Sequence, residues 1–513
     1  MVSEPVPITY SERLLQRAQE NPDEVAIVFV APDGSEQAVT TKELCDASLR
    51  VARVLDARGV DEKSLVAVAL GNTRLGVVSE FAAWWLGACV MPLSHRLPDT
   101  EREHVLEAAV ESGRALFVVG DVESEQATVV RPDELGAEAE EQSSKPLPIK
   151  VPQPGRAMPS GGSTGRPKII TDDSPMVGVP GAESPVSALF GTRPGQSVLV
   201  LGPLYHTGPF GSTFGGIFGG GLVVLMERFD ASLALKLIER HRIQRIWSVP
   251  VQMQRMARAP EVDEIDFSSV ETLYHSGAVC PPWLKRRWIE LVGPEHVFEG
   301  FGSTEAVGSL MIRGDEWLEH PASVGRPEVT EVRIRDEDGK EVAQGEVGEI
   351  YMRWIGRGLE SSGYKYWGSA PARSDDDGFV SVGDLGWQDE DGYVYVADRR
   401  VDMIISGGVN VFPAEVEVAL SELPEVRDVA VVGVPDEEWG RRVHAIVETN
   451  EDPTMLLPRL VEHCRNSMAP PKRPKSYEFV EALPRNDAGK IRRSDLAAER
   501  QQGDTEATVR VGT

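Results

Sequence analysis

The chain has 513 residues, of which 41% are hydrophobic and 26% charged, and its net charge is −28 at pH 7. A chain of this length exceeds one hydrophobic core, so two or more domains are expected. The acidic balance disfavours nucleic acid as a partner, because phosphate backbones repel such a surface. The four cysteines lie far apart, which argues against a zinc site or a disulfide framework.

The chain shows no pattern of membrane insertion or export. Its longest apolar run, Phe81–Leu93, is shorter than a bilayer span. The N-terminus lacks the basic start and apolar stretch of a signal peptide. We therefore expect a cytoplasmic protein without integral membrane association.

The first 120 residues alternate helical and strand-like patterns. Apolar residues at helical spacing predict helices over 11–22, 41–59 and 77–88, and continuous apolar runs predict strands over 24–30 and 64–70. Strands that alternate with helices predict an α/β fold with a parallel sheet covered on both faces.

The rest of the chain changes character several times. Residues 121–157 are acidic and then proline-rich, which predicts an exposed connector. The α/β alternation resumes over 197–279, and a β-rich pattern with Asp-Gly turns follows over 325–396. From residue 401 the pattern predicts a last unit made of a helix followed by two strands. The polar residues at its C-terminal end predict a flexible tail.

The segment MPSGGSTGRPKII, Met158–Ile170, has the composition of a phosphate-binding loop. Glycines let the backbone approach an anion, while hydroxyls, backbone N–H groups and a lysine supply donors. It is not a Walker A loop, because Arg166 and Pro167 separate the last glycine from the lysine. The candidate phosphate-binding residues are Ser160, Gly161, Gly162, Ser163, Thr164, Gly165 and Lys168.

Four further motifs follow the loop in order: FEGFGSTEAVG (298–308), GEVGEIYMR (345–353), the segment 379–417 with SVGDLG and ADRRVD, and LPRNDAGKIRR (483–493). Together they resemble the adenylate-forming superfamily of acyl-CoA synthetases, luciferases and peptide-synthetase adenylation domains, over nearly the whole chain. The resemblance implies a two-step reaction. A carboxylate attacks the α-phosphate of ATP to give acyl-AMP and pyrophosphate, and a thiol, usually that of CoA, then displaces AMP.

The resemblance also implies a domain plan. Residues 1–400 would form a large ATP- and acid-binding domain of two α/β subdomains and a small β-barrel-like subdomain. Residues 401–402 would form a hinge with Asp402 at its centre, and 403–500 a small mobile α+β domain, followed by a flexible tail over 501–513.

The implied ATP site combines the loop with four later segments. Ser163, Thr164 and Gly165 would lie closest to the β- and γ-phosphates, with Lys168 supporting them. Thr304 would donate to the α-phosphate and Glu305 would bind Mg²⁺, a cation that prefers carboxylate and phosphate oxygens. The other residues implied to bind ATP or AMP are Ser276, Gly277, Ala278, Phe301, Gly302, Ser303, Asp384 and Arg399.

The implied catalytic lysine is Lys490, which would bridge the carboxylate and the α-phosphate during adenylation. The motif LPRNDAGKIRR has Asp487 and Ala488 where members of the family carry proline or other small residues. In the motif ADRRVD, Asp398 precedes Arg399, where members of the family usually have glycine. We expect neither difference to affect function. The C-terminal domain would then rotate and present the CoA-binding residues Ser406, Gly407, Gly408, Trp439 and Arg441.

The acid pocket is predicted between Leu201–Gly221 and Tyr274–Val279, with His206 as an aromatic gate and Gly208, Gly277 and Gly302 as lining. No Asp or Glu occurs from Ser184 to Met226, so a cationic amine would lack a partner and amino-acid substrates are disfavoured. The many glycines near His206 predict a wide apolar pocket. The SGGSTG loop resembles that of ligases for bulky alicyclic acids.

Three alternatives stay open from the sequence. The acyl acceptor is CoA or the phosphopantetheine of a separate carrier protein, and the surface around Trp439 and Arg441 distinguishes them by its charge. A catalytically dead scaffold is disfavoured by the retained motif residues. The oligomeric state, a homodimer included, is not fixed by the sequence.

Overall fold

The structure, a computed structural model, describes residues 6–160, 167–182, 191–355, 363–486, 489–501 and 508–511. The predicted site residues Gly161, Gly162, Ser163, Thr164 and Gly165 lie outside the described residues, and so do Asp487 and Ala488.

The helices are given in chain order. They are α1 (Tyr10–Glu20), α2 (Thr41–Ala57), α3 (Arg74–Trp85), α4 (Asp99–Val110), α5 (Pro132–Glu140), α6 (Thr207–Gly219), α7 (Ala231–Arg240), α8 (Pro250–Ala257), α9 (Pro282–Val292), α10 (Gly314–Glu319), α11 (Pro413–Ser421), α12 (Pro453–Ser467) and α13 (Arg493–Glu499).

The strands follow the same order. They are β1 (Ile8–Thr9), β2 (Val25–Val30), β3 (Glu36–Thr40), β4 (Ser64–Ala69), β5 (Cys89–Pro92), β6 (Ala115–Gly120), β7 (Thr128–Val130), β8 (Ala157–Ser160), β9 (Lys168–Asp172), β10 (Val177–Gly178), β11 (Val198–Val200), β12 (Val223–Met226), β13 (Arg245–Ser248), β14 (Thr272–His275), β15 (Val297–Gly302), β16 (Ser309–Arg313), β17 (Thr330–Arg335), β18 (Gly348–Trp354), β19 (Tyr364–Trp367), β20 (Val380–Gln388), β21 (Val394–Arg399), β22 (Ile404–Ser406), β23 (Val409–Val411), β24 (Asp428–Asp436), β25 (Gly440–Glu448), β26 (Ser476–Val480) and β27 (Thr508–Arg510).

Two predominantly parallel sheets form the large α/β part. Among the described residues, one has the strand order β16-β15-β14-β13-β11-β12-β2-β3, with antiparallel strands at both edges, and the other has the order β5-β4-β6-β7. Trp84 and Trp85 of α3 are almost fully buried in the core that joins the helices to these sheets. The α/β architecture predicted from the sequence pattern is confirmed.

Helix α2 illustrates why the local sequence folds as predicted. The Thr40 side chain accepts from the Glu43 N–H, and the Glu43 carboxylate accepts from the Thr40 N–H, which forms a capping box at the helix start. Gly59 follows the helix with a φ of +94°, a conformation that glycine adopts at little cost. The threonine start and the glycine stop predicted for this helix are thus both present, the cap lying at Thr40.

Smaller sheets complete the fold around the large part. The β-rich segment forms an antiparallel sheet in the order β17-β18-β20-β21, and a second sheet has the order β19-β9-β8. From Ile404 onward, β24-β25-β26-β27 form a sheet with a core of its own that includes Val416, Val431 and Tyr477. The chain from Ile404 is therefore a separately packed α+β unit, and its rotation stays a prediction.

Two sequence-based expectations about loops are wrong in part. The segment 121–157, expected to be a connector, contains strand β7 and helix α5, and Leu135 of α5 is buried in the main core. The tail expected to be flexible contributes β27, which pairs antiparallel with β26. Tertiary pairing supplied the order that these polar segments do not show locally.

Within the described residues, no helix combines the length and the apolar composition that crossing a membrane requires.

Candidate active site

The phosphate-binding loop is held at both ends by one sheet. Ser160 at the end of β8 lies opposite Lys168 at the start of β9, so the two residues that flank the loop are paired across the ladder. Strand β19 pairs with the other edge of β9, with Tyr366 opposite Ile170. The described residues on either side of the predicted anion-binding loop are therefore fixed by one sheet.

Glu305 lies against this base. Its carboxylate oxygen Oε1 accepts hydrogen bonds from the Lys168 ammonium at 2.8 Å and from the Tyr366 hydroxyl at 2.5 Å. The Glu305 side chain is 13% exposed. Burial raises the pKa of Glu305, but the hydrogen bonds from Lys168 and Tyr366 outweigh it, and the net pKa is lowered. Glu305 is thus an ionised carboxylate, as a Mg²⁺ ligand must be.

The turn that carries Glu305 follows β15. Thr304 is exposed there, whereas the Ser303 hydroxyl is buried. Ala306 closes the turn with a φ of +51°, and the indole of Trp354 donates to its carbonyl at 2.5 Å. An alanine in the left-handed region is uncommon and is held there by its surroundings. The turn therefore presents Thr304 and Glu305 in a fixed orientation.

The segment predicted to flank adenine lies beside this turn, because β14 and β15 are parallel neighbours that end at the same edge. Ser276, Gly277 and Ala278 follow β14, and Gly277 and Ala278 are exposed. Gly277 has a φ of +87°. Phe301 and Gly302 end β15, so this whole group of predicted nucleotide residues converges on one edge of the sheet.

Asp384 and Arg399 lie opposite each other on β20 and β21, with 3.8 Å between the Arg399 Nε and an Asp384 oxygen. Burial raises the pKa of Asp384 to about 6, while Arg399 and Lys490 oppose the shift. The two predicted ribose residues are therefore brought together, with their side chains on one face.

Lys490 joins this group from the C-terminal unit. Burial lowers its pKa, and Arg399 adds to the lowering, while the carboxylates of Asp384 and Glu305 oppose it. The residue is nevertheless exposed to solvent. Lys490 therefore lies among the charges that line the predicted ATP site, although it is far from them in the sequence.

A glycine allows this approach. Gly489 has a φ of +72°, and a Cβ placed on it would lie 2.3 Å from a Val251 methyl group of α8. Any larger residue at this position would push the lysine loop off the large α/β part.

The predicted CoA-binding residues form a second group. The Trp439 indole lies against Gly407, where a Cβ would be 2.8 Å from the ring, and the Gly407 N–H donates to the Trp439 carbonyl at 2.9 Å. Lys475 places its ammonium 5.0 Å from the centre of the same ring. Arg441 donates to the Gly433 carbonyl, Gly408 is exposed, and the Ser406 side chain is buried beside them.

The glycines predicted to line the acid pocket differ in their surroundings, since neighbouring side chains crowd some of them and leave others open. His206 precedes α6 as its N-cap residue. The Trp247 ring fills the space above Gly208, where a Cβ would lie 2.2 Å from it. Val198 and Val223 fill the space at Gly216 in the same way. Gly208 and Gly216 thus let α6 pack closely on the sheet, whereas a Cβ at Gly211 or Gly215 would meet nothing within 4 Å. The wide pocket inferred from these glycines stays a prediction.

Comparison with known proteins identifies the family. A model of the family described as AMP-binding enzyme matches residues 14–361, and a model of its C-terminal domain matches residues 415–490. The chain belongs to the AMP-binding enzyme family. The predicted adenylate-forming superfamily, α/β fold and enzyme class are thereby confirmed.

Relatives in the family carry CoA ligase names. A feruloyl-CoA synthase from an Amycolatopsis species is 32% identical over 474 residues, which cover 90% of this chain and 93% of that protein. A long-chain-fatty-acid–CoA ligase of Mycobacterium tuberculosis is 30% identical over 510 residues, covering 94% of this chain and 97% of that protein.

A solved structure of similar fold is the o-succinylbenzoate CoA synthetase of Bacillus subtilis. With its acyl-adenylate intermediate it has a TM-score of 0.77 at 27% identity, over 96% of this chain and 98% of that one. With ATP and a magnesium ion it has a TM-score of 0.75 at 26% identity, over 96% and 100%. The predicted use of ATP, Mg²⁺ and CoA is confirmed at the level of this family.

Three residues of the site were not found from the sequence. Tyr366 bonds Glu305 and Lys168, Lys475 stacks on Trp439, and Trp247 fills the space above Gly208. Tyr366 belongs to the alternating strand pattern YKYW, which signals only a strand. Its position beside Glu305 depends on the pairing of β19 with β9, for which the sequence carries no local signal.

Proposed function

We propose that the chain is an ATP-dependent acyl-CoA synthetase that adenylates an apolar carboxylic acid and then transfers the acyl group to CoA. The observations that carry the proposal are the Arg399–Asp384 pair, 3.8 Å apart, and the packing of the Lys490 loop on α8 at Gly489, with the charges of Asp384, Arg399 and Glu305 acting on the Lys490 ammonium. These four side chains come from three separate parts of the chain. Together they provide the cations and carboxylates that formation of an acyl-adenylate, a mixed anhydride of a carboxylic acid and AMP, requires.

In the first half-reaction, anionic carboxylate approaches anionic phosphate, and the chain's own cations offset the repulsion. Lys490 would contact the acid and the α-phosphate, and Thr304 would donate to the same phosphate. Asp384 would accept from both ribose hydroxyls, with Arg399 beside it. Lys168 would follow the departing pyrophosphate. Asp384 and Arg399 are already paired across β20 and β21, and Glu305 is already held by Lys168 and Tyr366, so these groups need little reorganisation.

Glu305 would bind Mg²⁺, which supplies charge neutralisation of the triphosphate. The fit is chemically sound, since the carboxylate is ionised and a hydroxyl lies next to it on the turn. Among the described residues no group of three or more His, Cys, Asp or Glu side chains could hold a metal alone. Phosphate oxygens of the nucleotide would therefore complete the coordination.

The acyl acceptor is CoA rather than a carrier protein. Supporting this, the Trp439 ring carries the Lys475 ammonium at 5.0 Å, which offers a cation to a nucleotide phosphate. The unit would present this face after rotating about Asp402.

The acid is apolar and uncharged beyond its carboxylate. In support, the segment from Ser184 to Met226 carries no acidic residue that could pair with an amine. Trp247 closes the space beside Gly208 with a flat ring, which favours a narrow or planar acyl group over a bulky alicyclic one.

The function is tested by ATP–pyrophosphate exchange with a panel of aryl propenoic, fatty, alicyclic and amino acids. We expect exchange with apolar acids of narrow cross-section and none with amino acids. Addition of CoA should convert the adenylate into acyl-CoA, seen by mass. Absence of exchange with every acid contradicts the adenylation, and exchange without acyl-CoA contradicts the choice of CoA.

Lys475→Ala should raise the KM for CoA about tenfold without changing pyrophosphate exchange, because it removes one cation from the acceptor surface only. Lys472→Ala is the matched control, since that ammonium pairs with Glu415. An unchanged KM for CoA, together with slower loading of a carrier protein, would favour the carrier alternative.

The KM for ATP should rise as the pH falls below about 6. Burial raises the pKa of Asp384 to about 6, so the carboxyl becomes neutral on acidification and loses its charge-assisted bonds to the ribose. From about pH 8 to about pH 5 we expect up to a tenfold rise. In Asp384→Asn the KM should be high at every pH, and a profile as steep as that of the wild type would assign the dependence to another group.

A further inference from the structure

Tyr366 occupies a bridging position that the proposed roles leave unexplained. Its hydroxyl donates to Glu305 Oε1 at 2.5 Å and accepts from Lys168 Nζ at 2.8 Å. The Lys168 ammonium also lies 4.2 Å from the centre of the Tyr366 ring. One side chain thus contacts both the expected cation ligand and the lysine at the end of the phosphate-binding loop.

Both contacts to Glu305 reach the same carboxylate oxygen. Lys168 and Tyr366 each donate to Oε1, and among the described residues no side chain donates to Oε2. Two donors on one oxygen fix the carboxylate plane and leave the lone pairs of the other oxygen for a third partner. A divalent cation bound to ATP is such a partner.

The two donors differ in their effect on charge. Lys168 neutralises the carboxylate and so competes with a metal cation for it. The Tyr366 hydroxyl is neutral and orients the carboxylate without cancelling its charge. If Lys168 turns to a phosphate, the Tyr366 hydroxyl still donates to Glu305 and keeps the carboxylate in place.

The scaffold makes this arrangement rigid. Tyr366 lies in β19, and β19 pairs with the strand that begins with Lys168. Glu305 lies on a turn held by the Trp354–Ala306 hydrogen bond. Tyr366 is therefore the link between the base of the loop and the turn that carries Glu305.

We propose that Tyr366 is a positioning residue that orients Glu305 for the divalent cation of the nucleotide complex. The proposal rests on the proposed function, because it takes ATP with a divalent cation as the ligand. It predicts a defect in cation use rather than in acid or CoA binding.

The test compares Tyr366→Phe with the wild type and with Tyr364→Phe. Tyr364 lies on the same strand, with its ring 5.1 Å from that of Tyr366, and makes no hydrogen bond to Glu305 among the described contacts. Binding of Mn²⁺ in the presence of α,β-methylene-ATP is measured by electron paramagnetic resonance. Pyrophosphate exchange is measured over a range of Mg²⁺ concentrations.

For Tyr366→Phe we expect about a tenfold weaker binding of Mn²⁺, the effect of one hydrogen bond to a charged group. The exchange defect should shrink as Mg²⁺ rises, while the KM for the acid stays unchanged. Tyr364→Phe should match the wild type. Wild-type Mn²⁺ binding by Tyr366→Phe, or a defect that is equal at all Mg²⁺ concentrations, overturns the proposal.

Failure of the proposed function is seen separately. If neither the wild type nor Tyr364→Phe exchanges pyrophosphate with any acid, adenylation is refuted, whereas the Mn²⁺ measurement still decides the role of Tyr366. Thermal unfolding of both variants shows whether the strand has kept its packing.

Discussion

Lys490→Ala is expected to slow the adenylation half-reaction about 100- to 1,000-fold, the usual effect of removing one group that stabilises developing charge. Lys490 supplies a cation where carboxylate meets phosphate, and the other cations of the site, Arg399 and Lys168, are engaged with Asp384 and Glu305. Pyrophosphate exchange measures this half-reaction alone.

The same variant should transfer the acyl group from supplied acyl-AMP to CoA at nearly the wild-type rate, because the thiol step would use the Trp439 face of the C-terminal unit. Arg492→Ala is the matched control. Its guanidinium pairs with Glu101 of α4 across the two parts of the chain but is 58% exposed, so its loss should cost less than about 1 kcal/mol. Equal loss of both half-reactions in Lys490→Ala would refute the two-state scheme.

The catalytic motifs were predictable because their chemistry is local. Thr304 and Glu305 lie on one turn, and the spacing of Asp384 and Arg399 on adjacent strands follows from a hairpin. That Lys490 meets them depends on docking of the whole C-terminal unit, and the sequence indicates this only through resemblance to a family. The close approach of Gly489 to Val251 and the hydrogen bonds of Arg258 to the Val426 and Ser421 carbonyls are part of that docking, and no local pattern contains them.

The errors share one cause. The glycines of α6 were taken together as space for a ligand, yet at Gly208 the Trp247 ring, 39 residues away in the sequence, fills that space, whereas Gly211 and Gly215 face open space. A glycine in the sequence shows that a side chain is missing, but it does not show which residue fills the space. At Gly208 that residue is Trp247, which belongs to a different element of the fold. The order of α5 and β27 was missed for the same reason, since packing decides the structure of polar segments.

Asp398 is the residue whose importance the sequence underrates most. Its side chain is only 5% exposed, and it accepts from the Ala414 N–H at 2.8 Å, at the start of α11. Burial raises its pKa to about 6, with Arg493 opposing. A carboxylate at a helix N-terminus is favourable, since it pairs with N–H groups that lack a partner within the helix.

Arg493 extends this contact into a network. It donates to Asp402 at 3.0 Å and to Glu417 at 2.7 Å, and it lies 3.9 Å from Asp398. Asp398 precedes the predicted hinge at Asp402, whereas Ala414, Glu417 and Arg493 follow it. Rotation about the predicted hinge would have to break the Asp398 contacts, so we predict that Asp398 helps to hold the C-terminal unit in the position seen here.

Asp398→Gly should therefore shift the chain away from this position. Loss of one hydrogen bond to a carboxylate, about 1.5–3 kcal/mol, corresponds to a tenfold or larger change in the ratio of the two positions. We expect adenylation to slow about tenfold while acyl transfer from supplied acyl-AMP stays constant or accelerates. Asp398→Asn keeps an acceptor for the Ala414 N–H but not the charge, so its effect should be intermediate.

Comparing the rates of the two half-reactions distinguishes a shift of the C-terminal unit from local damage, because a purely structural defect would lower both rates. Protease sensitivity at the Asp402 segment gives an independent readout, and it should rise in Asp398→Gly before any loss of thermal stability. Equal slowing of both steps, with unchanged proteolysis, would show that Asp398 only supports the local fold. Unequal slowing would mean that this carboxylate, which replaces the glycine usual in relatives, adjusts how long the enzyme stays ready for adenylation.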